Sequence, residues 1–497
     1  MFLFIKRIHY IIGLLVIFAT HSFAVDKNST TANKTVTSSF ISSNNEHLWF
    51  EQFKKNATDK QLYHFLYNMP KGGDLHHHSS GSNLPKWWYE LALNQEKNGG
   101  YTYFTRTHLN ICNGYGKNEF GMETQTLMFR TISGSSYNKL NECEKNNYTA
   151  LNKLNNSEIE SWKKSIWLDK PHEGRDEFFQ THWQRLNELT ANPFIAAEML
   201  VKNMESFGKE GLLYIEAQLN ATQKYKVDGS PYTQEEALNI YIARLSQPDA
   251  IKTGVTVRLQ YALLRFLPNA EQALTSMYDF VDKHRNIYVG INMVGREDNP
   301  KGHPLRFLPT LKKLRSKYPA INLAIHAGES EAPNFNIRDT LLLGAKRIGH
   351  GINLLSDPQT LLLMRNNDYL IEINLISNLK LGYVADLNQH PFPEFLRLGI
   401  PVALSTDDRG MWHSNMTDEF FIGVKYFNLS WSEITNLSKN SLSFSFLDTK
   451  TKRKLLKKLD KNILEFEKNY KHKGENSLKK RPVFNEFILS HSPSVAG

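Results

Sequence analysis

The chain has 497 residues, of which 40% are hydrophobic and 22% charged, length enough for one large barrel-type domain with extensions or for two or three smaller domains. Its formal net charge of +10 is spread through the sequence rather than gathered in one basic stripe, so a nucleic-acid partner is not expected. It has only two cysteines and no CxxC spacing, which excludes a structural zinc module.

Lys6 and Arg7 precede the apolar run Ile11 to Thr20, and Ser22-Phe23-Ala24 supplies the small residues of a signal-peptidase site. Residues 1–24 therefore read as a cleaved export signal, and the mature chain is expected to be secreted or periplasmic. No later segment is apolar for long enough to anchor it in a membrane. Residues 25–45, rich in Ser, Thr, Asn and Lys, read as a flexible leader. Trp49, Phe50, Phe53, Leu62, Phe65 and Leu66 recur at helical spacing across a helical extension, 46–69, which Pro70, Gly72 and Gly73 end.

From residue 70 to about 440, short apolar runs alternate with helical segments. Strands are expected at Asp74 to His78, Leu212 to Leu219, Thr253 to Leu259, Ile287 to Val294, Ile321 to His326, Arg347 to Asn353, Tyr369 to Leu375 and Pro401 to Ser405. Most lack polar alternation, as buried parallel strands do. Helices are expected at Phe194 to Gly208, Thr233 to Leu245, Asn269 to Lys283, Leu305 to Tyr318 and Gln359 to Asn366. Eight such units make a (β/α)8 TIM barrel, in the α/β class. The polar, aromatic stretch from about 86 to 170 breaks the repeat and reads as an insertion after the first strand; Cys112 and Cys143 within it are expected to pair in an oxidising compartment. Residues 441–497 read as a helical tail, with Leu455, Leu456, Leu459, Ile463 and Phe466 on the apolar side of a basic amphipathic helix.

Four fragments fall where strand-like runs end: Asp74-Leu75-His76-His77-His78, His326-Ala327-Gly328-Glu329, Gly349-His350-Gly351 and Ser405-Thr406-Asp407-Asp408. A barrel gathers its strand ends at one rim. Along a strand His76 and His78 point to one face and His77 to the other. With His326 and Asp407 they offer three imidazoles and a carboxylate, leaving a position open for water, as at catalytic zinc. Glu329, buried beside other carboxylates, would be held protonated as a general acid. His350 would orient the attacking hydroxide and accept its proton, and Asp408 would hydrogen-bond the substrate.

Met69-Pro70-Lys71-Gly72-Gly73-Asp74-Leu75-His76-His77-His78, Ile325-His326-Ala327-Gly328-Glu329, Arg347-Ile348-Gly349-His350-Gly351 and Ser405-Thr406-Asp407-Asp408 together resemble the adenosine deaminase family of metal-dependent hydrolases. Gly290-Ile291-Asn292-Met293-Val294-Gly295 resembles its fourth-strand motif. The export signal, leading helices and cysteine-bearing insertion resemble its extracellular branch, the adenosine deaminase-related growth factors. The resemblance implies one Zn2+ per chain and hydrolytic deamination of adenosine, with 2'-deoxyadenosine, to inosine and ammonia. It implies proton transfer from Glu329 to N1, assistance by His350, a contact from Asp408 to N7, and a backbone contact from Gly295 to the purine.

The family usually has an aspartate just after the second histidine, in contact with ribose; here Ser79-Ser80-Gly81 follow, and Ser80 is the candidate contact. That departure leaves adenine, a modified nucleoside or a nucleotide as alternative substrates. A silent signalling or binding protein that keeps the barrel is the alternative from another class. A two-metal site would need a bridging lysine, which Met293-Val294-Gly295 does not supply. By the same resemblance the leading helices support a homodimer, with Trp49, Phe50 and Phe53 either at that interface or packed within the chain.

Overall fold

The computed structural model describes residues 48–112 and 127–496. The export signal, the leader and residues 46 and 47 of the helical extension lie outside them. Eight parallel strands form one sheet: β1 Gly73–His78, β2 Tyr214–Gln218, β3 Thr256–Leu264, β4 Tyr288–Val294, β5 Asn322–Ala327, β6 Arg347–His350, β7 Leu370–Ile373 and β8 Val402–Leu404. They pair in sequence order. The two edges meet at the carboxyl rim, where the Asp407 amide donates to the His76 carbonyl at 2.8 Å and the His78 amide to the Asp407 carbonyl at 3.2 Å. This is the expected (β/α)8 barrel.

Helices cover the outside. Asn192 and Thr233 cap Pro193–Lys209 and Gln234–Leu245 by accepting from backbone amides of the first turn. Ala270–Lys283, Leu308–Lys317, Asn336–Leu343, Pro358–Arg365 and Phe392–Arg397 continue the ring.

Three boundaries differ from the sequence reading. The third strand runs on to Leu264, because Gln260 faces inward to a buried hydrogen-bond network and Tyr261 packs beside Tyr288. The sixth ends at His350, where Gly351 adopts φ 65° and turns the chain into a short helix. The leading helical block is two helices, α1 Leu48–Asn56 and α2 Asp59–Asn68, separated where Thr58 and Gln61 form a capping box.

α1 and α2 pack on two helices that follow the barrel, α3 Trp431–Ser443 and α4 Thr449–Lys473. Trp49 lies 5.2 Å from Trp431, and Phe53 and Phe65 lie 5.3 and 4.7 Å from Tyr470. Phe50 is fully buried in the same cluster. Trp49, Phe50 and Phe53 thus pack within the chain. α4 buries Leu455, Leu459 and Ile463, as its amphipathic pattern requires.

Between β1 and the helix Pro193–Lys209 the chain makes an excursion over residues 79–192. It holds a three-stranded antiparallel sheet with Tyr103–Arg106 between Thr131–Ser133 and Tyr148–Ala150, and a disulfide joins Cys112 to Cys143. The excursion outlasts the 86–170 stretch by about twenty residues because its last segment returns over the barrel mouth. There Arg175 pairs with Glu331 and lies 4.7 Å over the Tyr383 ring, Asp176 pairs with Arg296 at 2.5 Å, and Phe178 packs 5.4 Å from Trp412.

Candidate metal and catalytic centre

The carboxyl rim brings the four expected ligands together. His76, His78, His326 and Asp407 each offer an atom within 4.8 Å of all the others. His78 Nε2 is 3.2 Å from His326 Nε2 and 3.1 Å from Asp407 Oδ1, while His76 Nε2 is 3.3 Å from the same oxygen. His77 turns to the outer face, against Phe207. Asp407 adopts φ 55° and His350 φ 65°, left-handed values that cost a residue with a side chain about 1 kcal/mol and keep both groups aimed inward.

The donor set suits zinc. The Nε2 of His76 is buried without a hydrogen-bond partner, and two further imidazole nitrogens converge on it instead of being solvated. Three nitrogens and one oxygen are a zinc-type set. Three of the four have their outward atom occupied: His76 Nδ1 meets Glu372 Oε2 at 2.8 Å, His326 Nδ1 meets Asn292 Oδ1 at 3.0 Å, and Ser377 Oγ donates to Asp407 Oδ2 at 2.6 Å. Such partners orient ligand rings and hold the metal-facing nitrogen free.

Glu372 and Asn292 belong to one chain of hydrogen bonds across the barrel interior. Asn292 Nδ2 donates to Gln260 Oε1 at 3.0 Å, Gln260 Nε2 to Glu216 Oε2 at 2.8 Å, and Arg347 bridges Glu216 and Glu372 at 2.6 and 2.7 Å. Asn292 donates onward through its amide nitrogen, so its oxygen must accept from His326. The protonated nitrogen of His326 is therefore Nδ1.

Glu329 lies at the same rim, its Oε1 3.6 Å from His350 Nε2. Burial, then the charges of Asp407 and Glu297, raise its carboxyl well above the usual range. Its backbone is clamped: Glu297 accepts from the Glu329 amide at 2.9 Å and from the Gly328 amide at 3.0 Å. Burial, then neighbouring Asp407, likewise raises Asp408, whose Oδ1 is buried and unpartnered. Gly81 lies directly against that oxygen, only 1.6 Å from where a Cβ would stand.

Gly295 follows β4 with φ 97°, its Cβ position filled by the Phe266 ring. Ser80 is half-buried on the turn after β1, where its carbonyl accepts from Asn83 Nδ2 at 3.3 Å.

Glu216, Gln260, Asn292, Arg347 and Glu372 were not singled out in the sequence. Their signal was a polar residue inside or beside an apolar strand run, on β2, β3, β4, β6 and β7. Ser377, Glu297 and Asn378 carried no comparable signal. A second His and carboxylate group, Glu173, Glu177 and His182, is already engaged: Glu173 accepts the Asp169 amide, Arg185 pairs with Glu177, and His182 Nε2 donates to the Trp167 carbonyl.

The family model described as adenosine deaminase matches residues 153–462. An adenosine deaminase of Lutzomyia longipalpis is 27% identical over 440 residues, 82% of this chain and 79% of that protein. Among solved structures, an adenine deaminase from Arthrobacter aurescens superposes with TM-score 0.57 at 21% identity, covering 80% of this chain and 99% of that one. The Arabidopsis N6-mAMP deaminase superposes with TM-score 0.57 at 19% identity, covering 80% and 99%. At these identities the solved structures establish the shared barrel.

Proposed function

We propose, from the premise that this chain belongs to the adenosine deaminase family, that it removes the 6-amino group of an aminopurine by metal-dependent hydrolysis. We take adenosine as the substrate, with 2'-deoxyadenosine, giving inosine and ammonia. The observation that carries this reading is the juxtaposition, in one buried rim, of a zinc-type ligand set with the Glu329 carboxyl, which burial and the charges of Asp407 and Glu297 push well above the usual range.

His76, His78, His326 and Asp407 would hold the ion. When bound, zinc supplies Lewis-acid activation of water near neutral pH. Glu329, its carboxyl raised chiefly by burial, would give its proton to a ring nitrogen next to the attacked carbon. Asp408, raised by burial and then by the charge of Asp407, would offer an O–H to the acceptor nitrogen on the five-membered ring. His350 contributes its Nε2 to the charge that develops at the attacked carbon. Water adds to that carbon, the carbon–nitrogen bond breaks, and the amino group leaves as ammonia.

The test is ammonia release from adenosine, deoxyadenosine, adenine and adenosine monophosphate. Adenosine is expected to turn over fastest. Negligible turnover of adenosine beside rapid turnover of adenine or a nucleotide contradicts the substrate assignment. That alternative has its own support in the serines at 79 and 80, and in the solved structures of like fold that are named for adenine and N6-mAMP. Glu329→Gln should abolish turnover while zinc stays bound.

We also propose that residues 1–24 direct export, on the pattern of charge, apolar run and small residues. Amino-terminal sequencing of the exported protein should begin at Val25; a retained Met1 contradicts this. Among the described residues no helix is long and apolar enough to cross a membrane.

A further inference from the structure

His350 holds its Nδ1 against two side-chain amides, Asn378 Nδ2 at 3.0 Å and Asn374 Nδ2 at 3.3 Å. Which partner donates is decided from the far end of the chain of contacts. The backbone N–H of Phe392 opens the helix Phe392–Arg397 and can only donate, and it reaches His390 Nδ1 at 3.1 Å. A neutral His390 therefore carries its proton on Nε2, and that nitrogen lies 3.0 Å from Asn378 Oδ1. With its oxygen accepting from His390, Asn378 presents its amide hydrogens to His350. His350 Nδ1 must then accept, and the proton of the neutral ring sits on Nε2. That Nε2 is buried and unpartnered on the side facing Glu329. His350, Asn378 and His390 are 1%, 0% and 3% exposed, so water does not compete for any link.

We propose that Asn378 and His390 are positioning residues that lock His350 in the Nε2–H tautomer. His350 then enters the reaction as a hydrogen-bond donor toward the oxygen being added to the purine. The expectation that it accepts a proton from the attacking hydroxide is replaced, because the nitrogen facing the site already carries one. The relay runs from a helix amino terminus through two buried side chains to the rim, and an amide is the one small side chain that can accept at one end and donate at the other. The role in turnover rests on the deaminase reading; the tautomer stands on the hydrogen bonds alone.

The experiment is 15N nuclear magnetic resonance of histidine side chains in the metal-loaded protein, with the His350 signals assigned by their loss in His350→Gln. The relay predicts a protonated Nε2 and an unprotonated Nδ1 at both His350 and His390. Protonated Nδ1 at His350 in the wild-type chain overturns the proposal, whether or not any purine turns over.

Asn378→Asp has only acceptors to offer and should move the His350 proton to Nδ1. It should lower kcat about 100-fold, the scale of losing one preorganised donor, with KM and zinc content near the wild-type values. A reversed tautomer with unchanged kcat overturns the catalytic consequence. His390→Gln keeps a donor against Asn378 Oδ1 and should retain the wild-type tautomer and most of the rate. Its loss of the Nε2–H tautomer would contradict the ordering.

Discussion

At Gly81 one missing side chain sets the position of a carboxyl group. A Cβ there would stand 1.6 Å from Asp408 Oδ1 and 2.5 Å from its carboxyl carbon, well inside van der Waals contact. Gly81→Ala should therefore displace Asp408 and reduce kcat/KM for the purine about 10-fold or more, the tenfold step that each 1.4 kcal/mol of lost transition-state binding represents. Zinc content should be unchanged. An alanine variant with wild-type kcat/KM would show that Asp408 does not need this approach.

His76 gives a pH dependence. Burial lowers its basicity, but the neighbouring carboxylates of Asp407, then Glu372, outweigh burial and raise it to about 10. In metal-free protein this pairing stabilises the fold fully below about pH 6.5, and the contribution is lost as pH rises toward 10. A metal ion must displace that proton. Zinc affinity should therefore rise by about one order of magnitude per pH unit between 6.5 and 10 from this group alone. Calorimetry in buffers of different ionisation heat should find a proton released on binding at pH 8; none released would place His76 in a different state. His326 and Asp407 were readable because each lies at or just past the end of an apolar run, His76 and His78 from their His-x-His spacing, and Glu329 from its place three residues after His326. Gly81 was not, since its importance lies in a contact 327 positions away in the chain.

Among the elements, β1, β5 and the turn after β8 bring the candidate ligands, and β4 and β7 their supports, to one rim. β7 contributes Glu372, β4 contributes Asn292, and Arg347 at the start of β6 ties two carboxylates across the interior. Glu372 accepts from both His76 and Arg347. A glutamine cannot accept from both, because its amide group must turn hydrogens toward one of them. Glu372→Gln should therefore weaken zinc binding about 10- to 100-fold, the range seen when such supporting partners are removed. Competition against a chelating dye measures it, and unchanged affinity would mean that Glu372 does not act on His76.

The eight strands were legible from their apolar runs, and so was the barrel they build. The interior network was not, because whether Glu216 or Gln260 faces inward depends on register and closure, which only pairing between distant segments fixes. The break between α1 and α2 was likewise hidden: Thr58 sits within a continuous helical pattern, and its capping box with Gln61 wins locally over propagation.

For the whole molecule, the barrel supplies the rim and the last part of the excursion after β1 lies over it. Its returning segment meets the rim through Arg175 with Glu331 and Asp176 with Arg296, while the Cys112–Cys143 disulfide ties its outer part. The excursion was visible in sequence only as a stretch that broke the strand–helix rhythm, and its return over the mouth was not, because no periodicity marks an irregular segment held by scattered ion pairs. On the proposed function, one zinc held by His76, His78, His326 and Asp407 drives hydrolysis of a purine amine. The direct measurement is ammonia release from adenosine by chelator-treated protein during titration with zinc. The account predicts no release without metal and activity that rises linearly to one zinc per chain. Full turnover after metal removal, or activity that continues to climb to two zinc ions per chain, would contradict it.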